Sequence, residues 1–291
     1  MPYARTAETD FALRVLLVVN RNSRSGRRIR ERATSELQAR GLEVVHFPTR
    51  HSAEIPAYDA IVGAGGDGTI MRLIGRAMRM NVPIGVIPTG TFNELARTLG
   101  IPFDLSAACD VIAAGHAHTV DVGCVNGAYY LSEASIGVSS RAARLQTAEL
   151  KHRIGYLAIV VTTIQALWFA RPMFAEVSYD DVVVRFKTVQ LTVANSHRFG
   201  GVFAVGDAAI DDGWLDLYSV EIETFAQAFD VARAILQGRR VSIPGLRTLR
   251  ARRFAIRQHR RHHITADGEP AGTTPAVFEV LPKAVRVFAP D

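Results

Sequence analysis

Cysteine is scarce in this sequence, with only Cys109 and Cys124 among 291 residues. Two thiols give no disulfide framework, which excludes the class of small domains held together by disulfide bonds. No secretory signal pattern precedes the first predicted strand, and residues 1–10 are predicted to form a flexible tail. These features favour a cytoplasmic protein in a reducing compartment.

Long apolar runs are also missing. The longest segment without Asp, Glu, Lys or Arg is Ile154 to Ala170, and it contains threonine and glutamine. Its length is at the lower limit for crossing a bilayer, so we expect a buried or interfacial helix. Repeats and low-complexity tracts do not occur either, which excludes repeat arrays.

The composition that remains is globular, with 48% hydrophobic and 21% charged residues. A net charge of +6 favours anionic partners, which could be nucleotides, nucleic acid or acidic lipid headgroups. The arginine-rich segment 247–263 could draw the chain to an anionic membrane, although a solvated β-face explains such runs equally simply. Because no aromatic platform or groove-binding motif accompanies it, no nucleic-acid partner is expected.

The first hundred residues alternate between strand and helix periodicity, which predicts a parallel α/β layer. Only residues 48–57 separate the second and third strands, too few for a helical crossover, so the placement of those two strands stays open. Asn93 is expected to cap a short helix that ends near Leu99. The predicted strands are 14–20, 42–47, 58–62 and 84–87, and a predicted helix spans 27–40.

The pattern changes near residue 119. Asn126-Gly127 joins two β-type segments and predicts a hairpin, since both central positions of its turn need a positive φ. Short strands dominate from Glu176 onward, interrupted by the 154–170 helix and by one from Thr224 to Gly238. The chain is therefore divided into a nucleotide-binding α/β domain at 11–118 and a mostly antiparallel β-domain at 119–291.

The loop GAGGDGT after the third strand presents glycine N–H groups and a helix start, the usual way of binding phosphate. Asp67 in its centre fits beside phosphates if Mg²⁺ lies between them. A strand-to-helix turn with Asp67 facing water explains the loop equally well, and both interpretations stay open at this point.

A second loop, PTGTFN at 88–93, follows its own strand about twenty residues later. With DDGWLD at 211–216 and DGE at 267–269, these motifs resemble the diacylglycerol kinase catalytic-domain family, including its soluble bacterial branch. Sphingosine kinases and, more distantly, NAD kinases are related to that family. The resemblance spans most of the chain, from the first strand to the last.

The resemblance implies a Rossmann-like nucleotide-binding α/β domain followed by a β-sandwich domain that carries lipid acceptor and Mg²⁺-loop segments. It implies an ATP-dependent kinase, with Mg²⁺, that phosphorylates the hydroxyl of a diacylglycerol-like or sphingoid-like lipid in phospholipid metabolism. The protein could then contact the inner face of the membrane peripherally. A homodimer is an open alternative.

Site residues also follow from the resemblance. Asp267 would be the general base, with Asp67 and Glu269 as further catalytic residues. The metal ligands would be Asp121, Glu94, Asp212 and Glu269. The nucleotide-binding residues would be Asn20, Ser25, Gly26, Gly65, Gly66, Asp67, Gly68, Thr69, Thr89, Gly90, Thr91 and Asn93.

Two positions depart from the family pattern. Arg21 stands where the family has proline, and Glu94 stands where it often has aspartate, one methylene shorter. The alternatives are therefore a nucleotide- or lipid-binding member with lost or altered catalysis, and NAD kinase. The sequence PTGTFNELA favours the lipid-kinase form over NAD kinase.

Overall fold

The computed structural model describes residues 13–19, 26–47, 56–91, 93–138, 140, 170–196, 198–199, 203–204, 209–221, 227 and 246–291. Contacts divide the chain into two compact units. The first comprises Met1–Val120 together with Lys283–Asp291, and the second comprises Asp121–Pro282. The sequence pattern did not indicate that the last nine residues belong with the first unit. The helices predicted at 154–170 and 224–238 lie almost entirely outside the described residues.

In the described residues of the first unit, a parallel sheet has the order β2-β1-β3-β4, and the end of the last strand of the chain (Ala276–Phe288) pairs in parallel with β4. Both β2 and β3 pair with β1, which resolves the placement that the sequence left open. All residues of β3 and β4 are buried, as is usual for central strands of a parallel sheet. The strands are β1 (Arg14–Val19), β2 (Glu43–His46), β3 (Ala60–Gly65) and β4 (Ile84–Pro88).

Four helices accompany this sheet in the part of the first unit that the structure describes. The second buries a stripe of residues at helical spacing, including Ile70, Leu73 and Ile74. The sequence did not predict the fourth helix, although Asp104 caps its start by accepting a hydrogen bond from the Ala107 N–H at 3.0 Å. The helices are α1 (Gly26–Ala39), α2 (Asp67–Met80), α3 (Glu94–Thr98) and α4 (Leu105–Ala114).

The second unit is built mainly from antiparallel strands, which confirms the predicted fold class. The strands are β5 (Ala117–Val125), β6 (Ala128–Tyr130), β7 (Glu133–Gly137), β8 (Met173–Tyr179), β9 (Val182–Thr188), β10 (Gln190–Ala194), β11 (Arg198–Phe199), β12 (Phe203–Ala204), β13 (Leu215–Val220), β14 (Leu246–Ala251), β15 (Arg253–Gln258), β16 (His263–Ala266), β17 (Glu269–Thr273) and β18 (Ala276–Phe288). One sheet has the order β14-β13-β10-β7-β16-β17, and a second set has the order β18-β15-β8-β9. Strands β5 and β18 contribute residues to both units.

Turn chemistry in this unit follows the sequence closely. Asn126 and Gly127 have φ values of 50° and 81° and join β5 to β6, as predicted. Tyr130 of β6 is fully buried against Gly123, where a Cβ atom would lie only 2.2 Å from the ring. No helix in the described part of the chain is long and apolar enough to cross a membrane.

Candidate active site

The two glycine loops of the first unit lie against each other. They follow β3 and β4, which pair in parallel with Gly65 opposite Pro88. The Thr89 N–H donates to the Gly65 carbonyl oxygen at 3.0 Å. A Cβ atom on Gly90 would lie 2.3 Å from the Gly66 Cα, so only glycine permits this approach. The loops therefore form one continuous backbone surface at the carboxyl edge of the sheet.

Asp67 begins α2, and its side chain reaches the second loop. Its carboxyl accepts hydrogen bonds from the backbone N–H groups of Asn93, Glu94 and Leu95. These groups start α3 and have no partner within that helix. Burial raises the pKa of the Asp67 carboxyl above 3.8, while the hydrogen bonds oppose the rise. The carboxylate of the glycine loop thus joins the first loop to the helix of the second.

Asn93 occupies the N-cap position of α3 but does not cap it through its side chain, which corrects the expectation from the sequence. Its Oδ1 accepts from the Gly90 N–H at 3.0 Å, and its Nδ2 donates to the Gly90 carbonyl oxygen at 2.9 Å. Asn93 itself has a left-handed φ of 50°, a conformation that asparagine tolerates. The cap comes from Asp67, and Asn93 instead closes the loop.

The other predicted nucleotide residues take different positions. Thr69 is buried, and its side chain fills the space that a Cβ atom on Gly65 would need. Thr89 and Thr91 are exposed, while Glu94 is half-buried. Gly68 lies in the first turn of α2, and Gly26 begins α1. Asn20 and Ser25 lie outside the described residues.

Asp267, the predicted general base, lies in the left-handed turn between β16 and β17, with φ of 45°. Its Oδ2 accepts from the Leu131 N–H at 2.7 Å, and its Oδ1 accepts from the N–H groups of Ser132 and Glu133 at 3.1 and 2.9 Å. A deprotonated carboxylate only accepts hydrogen bonds, so three donors suit the charged form. These bonds fix the carboxylate in one orientation.

Asp121 and Asp212 both hold the DDG loop of the second unit. Asp121 is 1% exposed, and its Oδ2 accepts from the Gly213 N–H at 2.6 Å. Asp212 accepts from the N–H groups of Ala209 and Trp214 at 3.1 and 2.9 Å. The Arg250 guanidinium also donates to Asp212, at 2.5 Å. Both carboxylates thus have partners within the protein.

The predicted metal ligands are divided between the two units, with Glu94 in the first and Asp121, Asp212 and Glu269 in the second. Glu269 is exposed at the start of β17. Over the ranges that the structure describes, no group of three or more His, Cys, Asp or Glu side chains has the geometry to hold a metal ion. A divalent cation at either loop would therefore need oxygen ligands from a substrate as well.

Asn195 is a residue of this region that the sequence analysis missed. It is 1% exposed, and its Nδ2 donates to the carbonyl oxygens of Asp121 and Leu131 at 3.0 and 3.1 Å. Its backbone N–H donates to the Ser132 carbonyl oxygen at 2.9 Å. Asn195 therefore ties the segment that holds Asp267 to the residue that holds the DDG loop. Its position directly after β10, where Ser196 and His197 follow it, was the available signal.

Two known families match this chain. The family described as diacylglycerol kinase catalytic domain matches residues 14–125, and the YegS C-terminal NAD kinase beta sandwich-like domain matches residues 132–289. A protein named diacylglycerol kinase from Bacillus subtilis is 31% identical over 242 residues, which cover 82% of this chain and 80% of that protein.

The chain belongs to the diacylglycerol kinase family. A protein of the same name from Staphylococcus saprophyticus is 29% identical over 266 residues, covering 90% of this chain and 87% of that protein. A solved structure of a diacylglycerol kinase from Bacillus anthracis is 21% identical to this chain, and the match covers 97% of this chain and 98% of that chain. The TM-score of 0.75 shows that the two proteins share a fold. The predicted family, fold class and enzyme class, a kinase, are thereby confirmed. The roles of the individual site residues stay predictions.

Proposed function

We propose that this member of the diacylglycerol kinase family transfers the γ-phosphoryl group of ATP to the hydroxyl of a diacylglycerol-like or sphingoid-like lipid. The observation that carries the proposal is the joined pair of glycine loops at the carboxyl edge of β3 and β4. Such a backbone surface beside the start of a helix suits phosphate groups. The name of the curated relatives gives the class of acceptor.

The residues of the first unit suit a nucleotide. Gly66 and Gly90 would let phosphates approach the backbone, and the exposed hydroxyls of Thr89 and Thr91 would donate hydrogen bonds. Asp67 would hold the two loops in a fixed relative position through its hydrogen bonds to the start of α3. Phosphoryl transfer depends mainly on such positioning and on neutralising charge.

The residues fit a resident Mg²⁺ ion less well, because Asp67, Asp121 and Asp212 are already hydrogen-bonded to backbone N–H groups. Glu94, a half-buried carboxylate at the start of α3, would contact a cation that arrives with ATP. When bound, such a cation would neutralise charge on the phosphates. We assign no step of the reaction to it.

Asp267 is the proposed general base, which would accept the proton of the lipid hydroxyl. Its three N–H donors orient the carboxylate, and they also hold the segment at 131–133 in place. Substitution of Asp267 can therefore reduce activity by two routes, through lost chemistry or through a displaced segment. The test has to separate them.

The test measures transfer of label from γ-labelled ATP into chloroform-soluble product, with mixed micelles of a bacterial lipid extract. Wild type and an Asp267→Asn variant are compared with Asp180→Asn, a matched control that lies in another left-handed turn with φ of 42°. Thermal unfolding of each protein shows whether the fold persists. Label in lipid that disappears in a folded Asp267→Asn protein would support the proposal. Bound ATP without labelled lipid in wild type would instead indicate a binding protein without turnover.

A further inference from the structure

The arginine-rich segment 247–263 does not form one free basic face. Arg247 pairs with Glu221 at 2.6 Å, and the Arg250 guanidinium donates to Asp212 at 2.5 Å. The Arg252 guanidinium lies 5.1 Å from the Trp214 ring centre. These three arginines stabilise the fold around β13 and β14, so any surface role belongs to other basic residues.

A compact surface on β8, β9 and β15 combines cations with an exposed phenylalanine. We define it as the basic-aromatic patch: Phe174, Arg185, Lys187, Arg257 and His259. Phe174 is 41% exposed and lies opposite Lys187 in the strand register. Its ring is 5.7 Å from the His259 ring. The patch therefore has an apolar centre with a basic residue on either side.

The next row of the same surface is also basic. Glu176 lies two residues after Phe174 on the same face of β8, and it is opposite Arg185 on β9 and Arg257 on β15. Glu176 pairs with Arg185 at 2.8 Å. Within the described part of the chain, Lys187 and Arg257 form no ion pair. Two rows of this sheet face thus present four basic side chains and one carboxylate.

Phe174 is exposed even though the opposite face of β8 packs in a hydrophobic core. The alternate residues of β8, Met173, Ala175 and Val177, are buried in the core of the second unit. The strand thus keeps its ordinary inward alternation and presents a large apolar ring outward among cations. Among the described residues, the ring that contacts Phe174 is that of His259.

We infer that the basic-aromatic patch docks on the surface of an anionic phospholipid bilayer. Basic side chains would meet lipid phosphates, and the Phe174 ring would enter the boundary between headgroups and acyl chains. A second copy of the patch is a poorer partner, since cations would oppose cations. The inference rests on the proposed function, because a kinase that phosphorylates a membrane lipid has to reach a membrane surface.

The test is sedimentation of the full chain with vesicles made of equal parts phosphatidylcholine and phosphatidylglycerol. Removing Lys187 and Arg257 together, as Lys187→Gln with Arg257→Gln, is expected to weaken binding about fivefold for each charge, or roughly 25-fold in all. Phe174→Ala is expected to weaken binding about tenfold through lost apolar contact. Binding by wild type is expected to fall with salt and to be absent with pure phosphatidylcholine.

Matched controls lie on the first unit. Arg32→Gln with Arg79→Gln removes the same charge from exposed helical positions. Phe103→Ala removes a phenylalanine of similar exposure, 47%, that also lies beside an arginine. Both controls are expected to bind vesicles like wild type. Equal loss of binding in patch and control variants would overturn the inference, because binding would then follow overall charge.

Kinase assays with a monomeric short-chain diacylglycerol separate this inference from the proposed function. The patch variants are expected to phosphorylate that dispersed acceptor like wild type, while losing activity on vesicles. If wild type bound vesicles through the patch but phosphorylated no lipid, the proposed function would be refuted while the docking inference would stand. A wild-type dimer that becomes monomeric on Phe174→Ala, without vesicle binding, would overturn the docking inference.

Discussion

Substitution of Gly90 by alanine tests whether the contact between the two loops positions the nucleotide. The new Cβ atom would lie 2.3 Å from the Gly66 Cα and 2.8 Å from the Asn93 Oδ1. To reach ordinary van der Waals distance the loops must separate by roughly 1 Å, and misplacement of that size costs on the order of 100-fold in rate. We therefore expect kcat/KM for ATP to fall by about two orders of magnitude.

The stability of the Gly90→Ala protein should change much less than its activity. Overpacking of this kind costs about 1–3 kcal/mol, which a folded domain can tolerate. Steady-state kinetics, ATP binding by calorimetry and thermal unfolding together measure the effect. Gly115→Ala is the control, because its φ of 72° makes the substitution cost stability through backbone strain, while the added methyl group contacts no heavy atom within 4 Å. A Gly90→Ala enzyme with wild-type kinetics would refute the reasoning.

Three further predictions concern the hydrogen-bonded and packed residues. Because burial raises the pKa of Asp67, the folded protein binds the proton of this carboxyl more tightly than the unfolded chain does. The stability of wild type relative to Asp67→Asn should therefore fall as pH rises from the ordinary pKa of aspartate through the raised pKa. Urea denaturation at a series of acid pH values measures this difference, and parallel stability curves for the two proteins would contradict the prediction. Asn195→Ala should lower the free energy of unfolding by about 2–4 kcal/mol, because two buried carbonyl groups lose their hydrogen-bond donor. A loss near zero would contradict the role assigned to the Asn195 amide. Gly123→Ala should lower the free energy of unfolding by about 3 kcal/mol or more, because the added methyl group collides with the Tyr130 ring. In a double-mutant cycle, Tyr130→Leu should recover part of that loss, whereas additive effects of the two substitutions would contradict the collision.

The parts of the fold that the sequence predicted depend on local chemistry. Apolar strand runs before GAGGDGT and PTGTFN placed both loops at strand ends, and the parallel pairing of β3 with β4 then brought them together. The turn at Asn126-Gly127 was predictable because few residues adopt its backbone angles. Helix α4 was missed despite the signals at Asp104 and Gly115, because the alanine-rich segment between them has no pronounced apolar stripe.

The partners of the site carboxylates could not be predicted. The residue type of Asp67 indicates an acceptor, but whether it meets a metal ion, water or the N–H groups of α3 depends on how α2 and α3 pack. Asp267 is separated by more than a hundred residues from its three donors. Such long-range hydrogen bonds depend on strand register, which a single sequence specifies poorly.

The path of β18 has a consequence for the order in which the protein folds during synthesis. Val287 pairs with Ile84 of β4, and the Ala289 N–H donates to the His116 carbonyl oxygen at 3.1 Å. The first unit therefore receives one of its strands only after residues 121–282 have been synthesised. Until then the backbone groups along that edge of β4 lack this partner, and an exposed strand edge invites pairing with other chains. Growing chains stalled near Val120 would thus be more prone to aggregation than the finished protein.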